Sequence, residues 1–80
     1  MKPEGINFPL YRKYKNNKSY FKIINLQSFE EIQMIGEKKL IRQTEARLFP
    51  EKTFVMDLIS NYSEMAVEIS EEEYNVRMTN

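Results

Sequence analysis

Lysine and tyrosine side chains alternate along the stretch from Leu10 to Ile24, which reads LYRKYKNNKSYFKII. Side chains point to opposite faces in turn along a strand, so a hairpin places six of these residues on one face. This candidate interaction face comprises Tyr11, Lys13, Lys15, Lys18, Tyr20 and Lys22. Its ammonium groups suit phosphates or carboxylates, and its rings suit stacking on unpaired bases or anchoring a protein contact.

The carboxylates are the other candidates, because a pair can act as acid and base or hold Ca²⁺ or Mg²⁺. Glu30 and Glu31, however, point to opposite faces of a strand, and the acids at Glu71–Glu73 suit the positive end of a helix. The chain has no histidine, no cysteine and only two glycines, which removes the usual proton shuttle and phosphate-binding loops. We therefore predict no enzymatic activity, no cofactor and no metal site.

The elements that position the candidate face begin with a hairpin. Asn16-Asn17 predicts a two-residue type I′ turn, since asparagine tolerates the positive φ that this turn requires. In this register Tyr11 lies opposite Lys22, and Lys13 lies opposite Tyr20. The other face of the hairpin carries Leu10, Arg12, Tyr14, Ser19, Phe21 and Ile23 and is expected to cover a core.

A second hairpin is predicted around Gly36-Glu37, where glycine in the first position favours a type II′ turn. This turn places Ile32 opposite Ile41 and Glu31 opposite Arg42. The run from Lys39 to Phe49 changes the parity of its apolar residues, which indicates a bulge near Gln43. Pro50 is expected to end this strand, because proline cannot donate to a ladder.

The C-terminal third contains one open alternative. Residues 53–62 fit either a helix with Thr53 as N-cap or a strand, since periodicity cannot separate short apolar runs. A short strand is predicted over Met65 to Ile69. Ser70 to Glu73 reads as a capping box, which predicts a final helix from Glu71 to about Met78.

These elements predict a single α+β domain over residues 1–80, with residues 1–8 as a flexible tail. The expected architecture is an antiparallel β-meander of four to six strands with one or two short helices, including a C-terminal helix. Eighty residues bury only about 60–65% of the surface that the unfolded chain exposes, so stability is expected to be small.

The net charge of zero conceals an uneven distribution of charge. Residues 1–28 hold six positive residues and one negative residue, whereas residues 53–80 hold one positive and six negative. Such asymmetry is typical of proteins with an acidic or basic partner. Alternatively, the two ends neutralise each other within the fold.

Three stretches, FPLYRKYKNNKSYFKII, SFEEIQMIG and EISEEEY, resemble small uncharacterised proteins of Bacteroidetes-type gut bacteria. These proteins share a tyrosine- and lysine-rich hairpin, a following strand that contains EIQ, and an acidic final helix. The resemblance implies a bacterial origin and an α+β fold, and it implies no activity.

The function predicted from these patterns is a small non-enzymatic binding or accessory module that acts through contact with a protein partner or by self-association. The alternative is a single-stranded nucleic-acid binder that uses the tyrosine–lysine face of the 10–24 hairpin. No apolar run approaches the ~20 residues of a membrane span, so we expect no membrane association and a cytoplasmic protein. A protein whose export signal has been removed is the other possibility.

Overall fold

The fold is a five-stranded antiparallel sheet with one helix on each face, within residues 7–61 and 64–79, the residues that the computed structural model describes. The elements are β1 Leu10–Tyr14, β2 Ser19–Asn25, β3 Ser28–Ile35, β4 Lys38–Glu45, α1 Phe49–Ser60, β5 Ala66–Glu68 and α2 Glu71–Thr79. The strand order is β4-β3-β2-β1-β5. The predicted α+β class is thus confirmed, with β1 to β4 as the meander and β5 added beside β1. Most of the predicted tail, residues 1–6, lies outside the described residues, whereas Phe8 packs half-buried against the core.

The first hairpin has the predicted register but a different turn. Leu10 to Lys13 pair with Tyr20 to Ile23 as expected. The prediction of a type I′ turn is wrong, because that turn requires a positive φ at both central residues. Of the two asparagines only Asn17 has one, at 61°. The Asn17 amide donates to the Tyr14 carbonyl at 2.9 Å, and the Asn16 side chain accepts from the Lys18 amide at 2.9 Å. An asparagine side chain that bonds the backbone two residues on favours this wider four-residue loop.

The second hairpin confirms the predicted turn, and Gly36 has a positive φ of 59°. The pairs Ile32–Ile41 and Glu31–Arg42 are both present. The bulge near Gln43 is wrong, since β3 and β4 pair without interruption from Ile35–Lys38 to Ser28–Glu45. Apolar parity reports a bulge only where one face of a strand is buried, and β4 is mostly exposed on both faces.

Residues 49–60 form a helix, which resolves the open alternative. The N-cap is Leu48 and not Thr53, and Pro50 does not end β4 but lies in the first turn of α1, where a missing amide hydrogen costs nothing. The Glu51 carboxylate accepts from the Arg47 and Leu48 amides at 3.1 and 3.0 Å. These two bonds lower the pKa of Glu51.

The first core lies between the sheet and α1. Its buried members are Phe21, Ile23, Phe29, Ala46, Val55, Leu58 and Ala66. The hairpin face expected to cover a core does so, because Phe21 and Ile23 are fully buried and Tyr14 packs edge-on against Phe21 at 5.0 Å between ring centroids. Arg12, on the same face, donates from Nε to the Leu58 carbonyl at 3.3 Å and so ties β1 to the last turn of α1.

The second helix confirms the predicted start. The Ser70 hydroxyl accepts from the Glu73 amide at 3.0 Å, which is the first half of the capping box. The Glu73 carboxylate is directed instead to Lys13 Nζ, at 3.1 Å. The second core forms where α2 covers the other face of the sheet, and its buried members are Tyr11, Tyr20, Ile32, Ile69 and Tyr74.

Replacing Leu58 tests the packing of α1. Leu58→Ala should lower the free energy of unfolding by about 2–5 kcal/mol, because it opens a cavity in the first core. Met56→Ala is the matched control on the exposed side of the same helix, and we expect it to change stability by less than about 0.5 kcal/mol. Urea unfolding followed by circular dichroism measures both. Equal losses would contradict the orientation of α1.

Candidate functional site

The candidate interaction face predicted from the sequence is the surface on which α2 lies. Tyr20 is 1% exposed and Tyr11 is 9% exposed, so the expectation of a solvent-facing tyrosine–lysine surface is wrong. The rings are covered because this side of the sheet is also apolar, and α2 supplies Tyr74 to close it. Neither ring can stack on a base while α2 is in place.

Two phenol–carboxylate hydrogen bonds hold α2 to the sheet. Tyr11 Oη donates to a Glu71 carboxylate oxygen at 3.1 Å. Tyr74 Oη donates to a Glu30 carboxylate oxygen at 2.9 Å. The Tyr11 and Tyr74 rings contact each other with their centroids 5.4 Å apart. Hydrogen bonds to an ionised acceptor are about twice as strong as neutral ones. These two bonds therefore help to fix the orientation of α2 on the sheet, which apolar packing alone does not specify.

Lysines of the sheet also contact oppositely charged or electronegative groups at both ends of α2. Lys13 pairs with Glu73, and Lys39 Nζ donates to the Arg77 and Met78 carbonyls at the C-terminal end of α2, where the helix dipole favours a cation. The Arg77 guanidinium lies 5.5 Å from the centroid of the Tyr20 ring. The opposite charges of the two ends of the chain therefore meet within the fold.

The remaining lysines of the candidate face lie in two places. Lys15 and Lys18 are exposed in the β1–β2 loop, and Lys22 is half-buried on β2. Tyr62, the last residue of the run from 53 to 62, lies outside the described residues. Four of the six predicted residues, Tyr11, Lys13, Tyr20 and Lys22, thus lie together on the α2 side of the sheet, and the other two lie in the loop.

Burial raises the pKa of Tyr74, and the hydrogen bond to Glu30 and its negative charge raise it further. The pKa of Tyr11 is raised by burial first and then by Glu71. Both phenols therefore stay protonated and act as donors. Glu30 and Glu71 serve as their acceptors, and these two carboxylates are half-buried and exposed respectively.

No group of three or more acidic side chains that could hold a metal ion occurs within residues 7–61 and 64–79. Three open clefts of about 300, 430 and 300 Å³ surround the end of the sheet where β2 turns into β3. Gln27 borders two of them and Glu45 also borders two. The phenol–carboxylate pairs line none of these three clefts.

The exposed edge of β4 is the feature that the sequence reading missed. In the described part of the chain β4 pairs with β3 alone and forms one edge of the sheet. Leu40 and Ile41, on opposite faces of the strand, are each 42% exposed, because the two cores are built on the other strands. The signal in the sequence was the pair of adjacent aliphatic residues, which the bulge interpretation had assigned to a change of face.

A second exposed apolar feature follows directly after β4. Leu48 is 67% exposed and Phe49 is 80% exposed, at the cap and first residue of α1. Their positions before the first buried turn of the helix explain why they do not reach the core.

Comparisons with protein-family models, with curated proteins and with solved structures found no significant match. The resemblance to Bacteroidetes-type proteins therefore stays a prediction. Within the described residues, neither helix has the length and apolar character needed to cross a membrane.

The raised tyrosine pKa values predict a loss of stability at alkaline pH. A phenol that ionises near pH 10 in the unfolded chain but higher in the fold stabilises the fold below about pH 10, and this contribution is lost as the pH rises further. The free energy of unfolding in urea should therefore fall above about pH 10. The decline should be shallower in Tyr74→Phe, which lacks the group that burial and Glu30 affect most.

The wild type and Tyr74→Phe contain the same lysines, which also titrate in this pH range. The difference in unfolding free energy between the two proteins therefore reports Tyr74. Phenolate absorbance recorded in parallel should show that Tyr74 ionises together with unfolding. Identical slopes in the two proteins would mean that Tyr74 is not buried against Glu30.

Proposed function

We propose that this chain is a small non-enzymatic binding module that acts through protein contact, and that the outer edge of β4 is its binding surface. The observation that carries the proposal is the length of this free edge. β4 has eight residues and pairs on one side only in the described structure. The opposite edge, β5, has three residues, and very short edge strands are a common protection against unwanted pairing.

The backbone of β4 offers hydrogen bonds in a regular pattern. Ile35 and Lys38 close a two-residue turn, and the residues that close such a turn exchange hydrogen bonds. Alternate residues from Lys38 onward therefore direct their backbone groups to β3. The residues between them, Lys39, Ile41 and Gln43, direct their amide and carbonyl groups outward. An extended segment can add to the sheet through these groups.

The side chains of β4 give the edge some selectivity. Leu40 and Ile41 supply apolar contacts on the two faces, whereas Lys38 and Arg42 are exposed cations that oppose unspecific pairing. Lys39 does not block strand pairing at this edge, because its ammonium group is held at the C-terminal end of α2. A partner strand with apolar residues at alternate positions and no cation opposite Lys38 or Arg42 fits this pattern.

Nothing in the structure favours the alternative function, a single-stranded nucleic-acid interface at Tyr11 and Tyr20, because both rings are buried. The proposal includes a cytoplasmic location and a bacterial origin. Both rest on the sequence, and fractionation of the source cells checks the location. The carboxylates near α2 act as acceptors for buried phenols, which supports a structural role for them.

A proline at position 43 tests the edge directly. Proline removes the outward amide of Gln43 and leaves the ladder to β3 intact, since that amide does not point to β3. Peptides selected from a displayed random library against the wild-type protein should bind Gln43→Pro about 2- to 12-fold more weakly, because one hydrogen bond of about 0.5–1.5 kcal/mol is lost.

Gln43→Ala is the matched control, because it removes the same side chain, including its hydrogen bond to Glu30 at 3.2 Å, and keeps the amide. Peptides should bind this variant as they bind the wild type. Selected peptides that bind Gln43→Pro with full affinity would use another surface and would contradict the proposal. Urea unfolding of both variants shows that the sheet is intact.

A further inference from the structure

We infer that the segment that pairs with β4 is β4 of a second copy of this chain, related by a two-fold axis at Ile41. The inference rests on the function proposed above and names the partner. It follows from three constraints on two identical edge strands: the faces of the sheets, the direction of the backbone groups and the charges that come to lie opposite each other.

The first constraint is the face of the sheet. A two-fold axis that pairs two edges antiparallel stands perpendicular to the sheet, so the α1 side of one copy continues into the α1 side of the other. Thr44 lies on the α1 side because it pairs with the core residue Phe29, and Ile41 lies on the α2 side because it pairs with Ile32. Residues opposite each other must share a face, so the axis lies midway between the two copies of one β4 residue.

The charges of β4 exclude most of these axes. An axis at Lys39 or Arg42 sets that cation against its own copy, and an axis at Leu40 sets Lys38 against Arg42. Like charges directly opposite each other destabilise a strand pair. An axis at Ile41 avoids all of these contacts, and it produces the pairs Ile41–Ile41, Leu40–Arg42, Lys39–Gln43 and Lys38–Thr44.

The backbone and the apolar side chains favour the same axis. Lys39, Ile41 and Gln43 all direct their backbone groups outward, so an Ile41–Ile41 pair and two Lys39–Gln43 pairs can all exchange hydrogen bonds. An axis at Gln43 also avoids like charges, but it sets Ile41 against Glu45 and pairs a shorter segment. Only the axis at Ile41 covers two half-exposed isoleucines with each other.

The ends of the paired segment are compatible with this register. Beyond Lys38–Thr44, Glu45 would come opposite Glu37, which lies in the turn and not in the strand. Glu45 already has a counter-charge, since Arg47 Nη2 lies 2.6 Å from its carboxylate. The product is a continuous sheet of both copies with two helices on each face.

Sedimentation over a range of concentrations up to the solubility limit tests the assembly. The wild type should rise from the 9.6 kDa of one chain to twice that mass. Gln43→Ala should behave in the same way, because its amide is retained. Gln43→Pro should need about a 5- to 150-fold higher concentration to reach the same dimer fraction, since the two-fold axis removes two hydrogen bonds at once.

Cysteine crosslinking tests the register, and the chain has no cysteine of its own. Residues that exchange hydrogen bonds across an antiparallel pair have Cα atoms about 5.5 Å apart, which is compatible with a disulfide. Ile41→Cys should therefore give a covalent dimer on mild oxidation. Gln43→Cys should not, because its two copies are four residues apart in register.

Each outcome has one consequence. A wild type that stays monomeric at every concentration, or a Gln43→Pro variant that dimerises equally well, overturns the inference. A dimer that crosslinks through Gln43→Cys and not through Ile41→Cys overturns the axis at Ile41. If the chain is monomeric and selected peptides still distinguish Gln43→Pro from Gln43→Ala, the partner is a foreign segment and the proposed function stands without the inference.

Discussion

The structure depends on the contact between the acidic helix α2 and the basic face of the first hairpin. A chain of eighty residues cannot fill one large core, so the sheet is covered by a helix on each face and the apolar residues are divided between two small cores. The second core would be open to water without α2. Tyr11 and Glu30 would lose their hydrogen-bond partners Glu71 and Tyr74, and Lys13 would lose the counter-charge of Glu73.

Covering both faces determines which surfaces remain free. The buried residues of the two cores come from β1, β2, β3, β5, the helices and the segments that adjoin β4 and β5. Ala46, just after β4, is among them, but no residue of β4 itself is. The helices pack over those strands, so the edge formed by β4 is left with exposed aliphatic side chains. A fold of this size has few other places for a specific contact. We therefore place the proposed binding surface at this strand edge and not in a pocket.

The sequence predicted the strands and helices best where a turn or cap residue has one dominant conformational preference. Gly36 set the second hairpin because glycine accepts a positive φ without strain. Ser70 marked the start of α2 through its hydroxyl. Asn16 and Asn17 gave the right register and the wrong turn, because an asparagine side chain can bond the backbone in several ways. The supposed bulge near Gln43 came from reading a parity change in a strand that buries neither face.

Local physics thus determined from the sequence alone the α+β class, both hairpin registers, the sorting of Phe21 and Ile23 toward a core and the existence of the final helix. Each of these follows from residues a few positions apart. Tertiary structure alone decided that residues 49–60 are helical, that α2 lies on Tyr11 and Tyr20, and that β4 is an edge. These outcomes depend on which apolar faces pack together between segments that are far apart in the sequence. Local sequence patterns do not specify such long-range contacts.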